Sequence, residues 1–416
     1  MPRTQSADWL LEAAAIGEQL RERTHRAVDG SPVWLKPRSV WPAPERPAPL
    51  GPHLYNGSTG IALFLAALGH VLDDDAYREL AFASLTPVRR HLAALAADPA
   101  VDQRQLRLGG VVGLGAFLYA FSHLGVWLDR AELLEEACRI AALLSPQRMA
   151  ADADCELMYG SAGALLGLLL LEREAPAEWS AGAALLQRAV ACGEDLLHRR
   201  TARNGSPRAW PYKGQEPIAG FAHGASGIAC ALERLAARTG RDEFRQAALE
   251  GLAYERRCYC PEHRNWRAEI PAGTAASQAQ PVPPPMVAWC NGAPGIALGR
   301  LQILGAGDTE QTWDELWRAL ETTRHPGQPS PSDFLCCGAM GRAEILFEAS
   351  CRLGREDLLG AAQEIAADVV ARVAGRWFDP GLDGSNPGFF RGAAGMGYTL
   401  LRLAGVKPLP CVLALE

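Results

Sequence analysis

No apolar run in this 416-residue chain is long enough to cross a bilayer; the longest, such as GALLGLLLL at 163–171, reach about half the roughly 20 residues a spanning helix needs. The first residues, MPRTQSADWLLEAAA, lack the apolar core of a signal peptide, which is the pattern of a cytoplasmic protein. There is no basic block, and the net charge is −6, so nucleic acid is not an expected partner. No glycine-rich loop is followed by a phosphate-cradling lysine. The eleven cysteines are scattered rather than spaced as a framework, so in a reducing compartment they are thiols or metal ligands rather than disulfides. What is present is apolar: 48% of residues are hydrophobic and 21% charged, enough for a large buried core.

That apolar content is repetitive. A Gly-x-x-Gly motif opening an apolar run appears as NGSTGIALFLAAL from Asn56, GGVVGLGAFLYAF from Gly109 and YGSAGALLGLLLL from Tyr159. It returns as HGASGIACALERL from His223, NGAPGIALGRLQIL from Asn291, CGAMGRAEILFEA from Cys337 and RGAAGMGYTLLRL from Arg391. Seven copies at intervals of 46–68 residues indicate one repeat architecture spanning 1–416 as a single domain. The runs are too long and too rich in Ala and Leu for strands. Between them lie amphipathic stretches such as REDLLGAAQEIAADVVARVAG, with apolar residues at three- and four-residue spacing. Each repeat is therefore expected to pair a buried helix with a half-exposed one. The first and last copies are as apolar as the middle ones, so neither looks like a polar end cap, and closure into an all-α ring, an α/α toroid, is expected.

If the Gly-x-x-Gly loops gather at one mouth of a ring, the residues just before them converge: Asn56, Gly109, Tyr159, His223, Cys290–Asn291, Cys336–Cys337 and Arg391. Three thiolates from consecutive loops, Cys290, Cys336 and Cys337, suit Zn2+ and leave a fourth position open, as in catalytic rather than structural sites. The alternative is three buried cysteines acting as small hydrophobes. A second cluster, Cys258, Cys260 and His263 in CYCPEHRNW, shows no nearby fourth ligand and reads as an ordered loop after a helix. His223 stands in the same position as the cysteines and is the candidate general acid or base.

LYNGSTGIALFLAALG, GFAHGASGIACAL, AWCNGAPGIALGRL, FLCCGAMG and NPGFFRGAAGMGYTLLRL, in that order, resemble the lanthionine synthetase C-like proteins over nearly the whole chain. ERRCYCPEHRNWRAEIP and the closing LPCVLALE are similar to the cyclase half of class II lanthipeptide synthetases. The resemblance implies an α/α toroid of seven inner and seven outer helices. It implies zinc held by Cys290, Cys336 and Cys337, with Cys337 where other members carry histidine, and His223 as the active-site histidine. An aspartate frequent in the family is matched here by Glu156, on a longer arm, with Asp154 two residues earlier. Stand-alone cyclases carry an arginine where this chain has Met286.

The implied reaction is addition of peptide cysteine thiolates to dehydroalanine or dehydrobutyrine, with His223 and Glu156 as catalytic residues. Its substrate would be a dehydrated precursor peptide with a leader, produced by a separate or fused dehydratase, since no dehydratase is read in this chain. A monomer is expected. With three cysteines, zinc and a substrate thiolate the charge sums to −2 rather than −1, which favours a more reactive sulfur and broader substrate tolerance. Two rivals are a zinc-bearing thiol- or peptide-binding protein without turnover and a metal-free helical scaffold.

Overall fold

A helix that is apolar on nearly every side is stable only inside a protein, and each repeated motif opens such a helix. The computed structural model describes residues 3–37, 47–97, 107–176, 179, 181–202, 205–269, 284–305, 309–327, 330, 332–379, 381–382 and 385–416. In chain order, α1 (Arg3–Glu22) and the hairpin β1 (His25–Arg26)–β2 (Pro32–Val33) precede α2 (Ser58–Leu72), α3 (Asp75–Ser84) and α4 (Thr86–Ala97). Next come α5 (Leu114–Trp127), α6 (Ala131–Ala141), the short α7 (Pro146–Ala150), α8 (Ser161–Glu174) and α9 (Ala181–Arg199). Helices α10 (Ala225–Thr239) and α11 (Asp242–Arg256) lead to the hairpin β3 (Tyr259–Cys260)–β4 (Asn265–Trp266). The chain then runs through α12 (Ala293–Gln302), α13 (Glu310–Arg324), α14 (Ala339–Leu353), α15 (Glu356–Val373) and α16 (Ala393–Ala404).

The motif helices α2, α5, α8, α10, α12, α14 and α16 touch in that order, and α16 packs back on α2. This is a closed inner ring of seven. Helices α3, α6, α9, α11, α13 and α15 each cover the inner helix that precedes them. The seventh cover is not the next element in sequence. Among the described residues no α-helix follows α16, and α1 packs on it instead. Closure brings the two ends of the repeat array together, so the first outer helix completes the last pair. The expected α/α toroid of seven inner and seven outer helices is thus observed.

The second glycine of the motif is required by a crossing. A Cβ at Gly341 would lie 1.9 Å from the carbonyl oxygen of Leu335, and one at Gly395 would lie 1.9 Å from that of Phe389. The loop before each helix passes over its first turn at van der Waals contact, and that passage carries the preceding residues to the mouth of the ring. The second copy departs from the sequence reading. Helix α5 is capped by Gly113, not Gly110, so Gly113 is the counterpart of the other leading glycines. Its φ of 153° and the crowding of a Cβ there by the carbonyl of Arg107, at 2.5 Å, exclude other residues.

The end of the chain fills the ring. Trp289 Nε1 donates to the Leu413 carbonyl at 3.0 Å, the Tyr398 hydroxyl to that of Pro410 at 2.9 Å, and Arg402 Nε to that of Leu409 at 3.0 Å. Residues Cys411–Leu415 are buried. Among the described residues no helix is long and apolar enough to cross a membrane.

Candidate metal centre and its surroundings

Three sulfurs meet at the mouth of the ring. Cys337 Sγ lies 3.5 Å from Cys290 Sγ and 3.2 Å from Cys336 Sγ, and all three fall within 4.8 Å of one another. Tetrahedral ligands at the usual zinc–sulfur bond length stand about 3.8 Å apart, so this trio needs only a slight spreading to hold the ion. Neighbouring repeats fix it. The Cys336 N–H donates to the Phe390 carbonyl at 2.9 Å, and the Phe390 N–H to the Tyr55 carbonyl at 2.8 Å. The Tyr55 and Phe390 rings stack at 5.4 Å. On the other side, the buried Asn265 of β4 accepts from the Ala293 N–H at 2.7 Å and donates to the Met286 carbonyl at 3.0 Å. The β3–β4 hairpin therefore clamps the segment that carries Cys290.

The sulfurs cannot all ionise alone. Hydrogen bonds from Cys336 and Cys337 hold the Cys290 thiol down to about 3. The hydrogen bond to that thiolate in turn pushes Cys337 up to about 12 and Cys336 upward. One negative charge is accommodated and further ones are opposed. A soft divalent cation removes that opposition, so the donor set fits zinc. No second such group occurs among the described residues. Cys260 donates to Glu262 at 2.9 Å and His263 is exposed, so CYCPEHRNW is an ordered hairpin and not a metal site.

His223 lies beside this cluster, and its charge lowers the Cys290 thiol. The imidazole sits against Tyr159 at 5.8 Å and Tyr212 at 5.7 Å between ring centres. Its Nδ1 is 3.5 Å from Glu156 Oε1, an ion-pair distance longer than a good hydrogen bond. Glu156 is buried and accepts the N–H groups of Met158 and Tyr159. Burial pushes its carboxyl up, and His223 partly offsets that. Asp154 is committed elsewhere: Arg107 pairs with it at 2.7 Å and lies over the Tyr159 ring at 4.5 Å. The longer arm of Glu156, not Asp154, is what reaches the histidine.

The loop bearing His223 is held from below by a buried ion triad that sequence reading missed. Glu255 accepts the N–H groups of Gly220 and Ser226, both at 2.9 Å, and the Ser226 hydroxyl at 2.6 Å. Arg300, with no exposed surface, pairs with Glu255 at 2.7 Å and Glu315 at 2.9 Å. Outer helices α11 and α13 thus fix α12 and the histidine loop. Tyr212 and Arg107 were also missed; neither stands at the motif register, so nothing in the repeat pointed to them.

A closed double ring of helices, with a three-thiol cluster and a histidine–carboxylate pair at one mouth, defines an α/α-toroid protein with a candidate metal centre. A family model described as lanthionine synthetase C-like protein matches residues 48–414, and the chain belongs to that family. Among solved structures it is similar to "Nisin cyclase", with a TM-score of 0.65 and 18% identity over 84% of this chain and 88% of that one. Weaker likenesses are a sugar epimerase from a ruminal bacterium and a cellobiose 2-epimerase from Spirochaeta thermophila. The first has a TM-score of 0.46 and 11% identity over 70% of this chain and 86% of that one. The second has a TM-score of 0.45 and 13% identity over 77% and 98%. No curated protein matches the chain by sequence.

Proposed function

We propose that this protein is a zinc-dependent lanthipeptide cyclase that adds peptide cysteine thiolates to dehydroalanine or dehydrobutyrine, closing thioether rings. The observation that carries this reading is the meeting of Cys290, Cys336 and Cys337, drawn from two loops 46 residues apart, beside His223. Membership of the lanthionine synthetase C-like family and the shared fold with nisin cyclase support it.

Zn2+ held by the three cysteines would supply a Lewis acid that keeps a substrate thiol ionised near pH 7, against a free-thiol pKa of about 8.5. The protein's own groups manage the protons. His223 accepts the thiol proton or delivers one to the α-carbon, and Glu156 orients the ring and balances its positive form. Tyr159 and Tyr212 wall the imidazole, and Glu156 stands at its Nδ1. The sum is S–H added across C=C, with no redox change. The substrate is a dehydrated, cysteine-containing precursor with a leader segment, supplied by a dehydratase, and the chain acts as one domain and one subunit in the cytoplasm.

The test is incubation with a dehydrated cysteine-containing peptide, then thiol alkylation and mass spectrometry. Each ring protects one thiol from alkylation. Full alkylation across several plausible precursors refutes the cyclase reading, and retained peptide binding would then favour a thiol-binding protein without turnover.

A further inference from the structure

Of the residues that stand just before the leading glycines, Cys337 and His223 have roles in the proposed reaction. Arg391 occupies the same register, directly before Gly392 and α16, and has none so far. Its place is fixed through its neighbour: the carbonyl of Phe390 accepts from the N–H of Cys336 at 2.9 Å. Its guanidinium lies 5.0 Å over the ring of Phe334, two residues before Cys336. Arg391 is therefore beside the cysteine pair, on the ring position that follows it, whereas His223 comes from the position before Cys290.

Two further facts set this arginine apart. It is exposed, and among the described residues no carboxylate pairs with it. Arginines that build the scaffold here, such as Arg300 and Arg402, are buried against two glutamates each. Arg391 rests on an aromatic face, which leaves its N–H fork available for another acceptor.

The chemistry needs a cation in this place. When sulfur bonds to the β-carbon, the C=C electron pair moves onto the neighbouring amide and negative charge gathers on its carbonyl oxygen. The α-carbon then takes a proton, and the charge is discharged. Three thiolates, a divalent cation and a substrate thiolate already sum to −2, so a second developing charge nearby is opposed unless a positive group faces it.

We propose that Arg391 is a catalytic residue of this site, binding the carbonyl oxygen of the dehydro residue as it becomes an enolate, opposite the proton-transferring His223. The inference rests on the cyclase reading above. It makes Arg391 an electrostatic partner of the transition state more than of the bound peptide.

The test uses the full chain loaded with zinc and a dehydrated peptide, with ring closure followed by alkylation and mass spectrometry. Arg391→Gln is expected to lower kcat about 10²–10³-fold with KM changed less than about threefold and the zinc-to-chain ratio unchanged. Arg391→Lys keeps the charge without the fork and is expected to recover at least about tenfold of that loss. Phe334→Leu, which removes the aromatic support but not the charge, is expected to fall between wild type and Arg391→Gln. Wild-type kcat in Arg391→Gln, with rings forming, overturns this inference alone. A loss confined to KM overturns it in favour of peptide binding. Loss of zinc from Arg391→Gln overturns it in favour of a structural role. No rings from the wild-type protein overturns the cyclase reading and this inference with it.

Discussion

Replacing Glu255 by Ala probes how the scaffold holds the site. The carboxylate accepts from two backbone N–H groups, a serine hydroxyl and the Arg300 guanidinium, all buried. Truncation strands each donor and leaves Arg300 with Glu315 as its remaining carboxylate partner. An unsatisfied buried donor costs about 1–3 kcal/mol, and removing one partner of a buried ion pair costs about 3–5 kcal/mol. Water entering the vacated space makes the terms less than additive, so a loss of about 4–5 kcal/mol is expected, a third or more of a typical folding free energy. Glu255→Gln, which keeps the volume and one acceptor, should lose about 2–3 kcal/mol. Urea unfolding reads the midpoint shift at constant m-value. Because the same carboxylate pins the loop before His223, ring closure should weaken under conditions where the variant is still folded. A loss under about 1 kcal/mol for Glu255→Ala would show that the triad does not bear on stability as described.

Three further outcomes are expected. His223→Ala should retain zinc yet close rings about 10²–10⁴-fold more slowly, measured by alkylation and mass spectrometry; unchanged rates would remove the histidine from proton transfer. Cys337→His should keep zinc while slowing closure and narrowing the range of peptides accepted, because the site loses one negative charge; a variant as fast and as broad as wild type contradicts the charge reading. Burial raises the Asp152 carboxyl from 3.8 to about 6. The folded state thus binds its proton more tightly than the unfolded chain does, and that contribution is full below about pH 4 and lost as pH rises through about 6. Asp152→Asn can still accept from the Asp154 N–H and donate to the Ser161 hydroxyl, whose contacts to Asp152 are 3.2 and 2.8 Å. Its stability relative to wild type should therefore improve between pH 4 and pH 7.5, by up to about 3 kcal/mol; thermal melts across that range would show a flat difference if the shift is absent.

Much of the ring was legible because its cause is local. The crossing of each loop over its helix excludes a side chain at Gly341 or Gly395, and that exclusion writes the same short motif into every copy but the second. There the cap is Gly113, and the fourth motif position is filled by Ala116, so counting from Gly110 gave the wrong register. The pairing of α1 with α16 was not legible, since α1 carries an ordinary amphipathic pattern and nothing in it marks a partner at the far end of the chain. The cysteine trio and His223 could be found because they share a register with the glycines. Glu255, Arg300 and Glu315 could not: each is a charged residue on a helix, and only the folded ring reveals that they are buried together. Glu156 and Asp154 were separable only when Arg107 was seen to hold the aspartate.

The most direct test of the account is X-ray absorption at the zinc edge, with and without a dehydrated, cysteine-containing peptide. The account predicts about one zinc per chain with three sulfurs at roughly 2.3 Å and one lighter ligand, the latter exchanged for a fourth sulfur when peptide is added. A site that takes up no zinc, or whose sulfur count stays the same with saturating peptide, would contradict it.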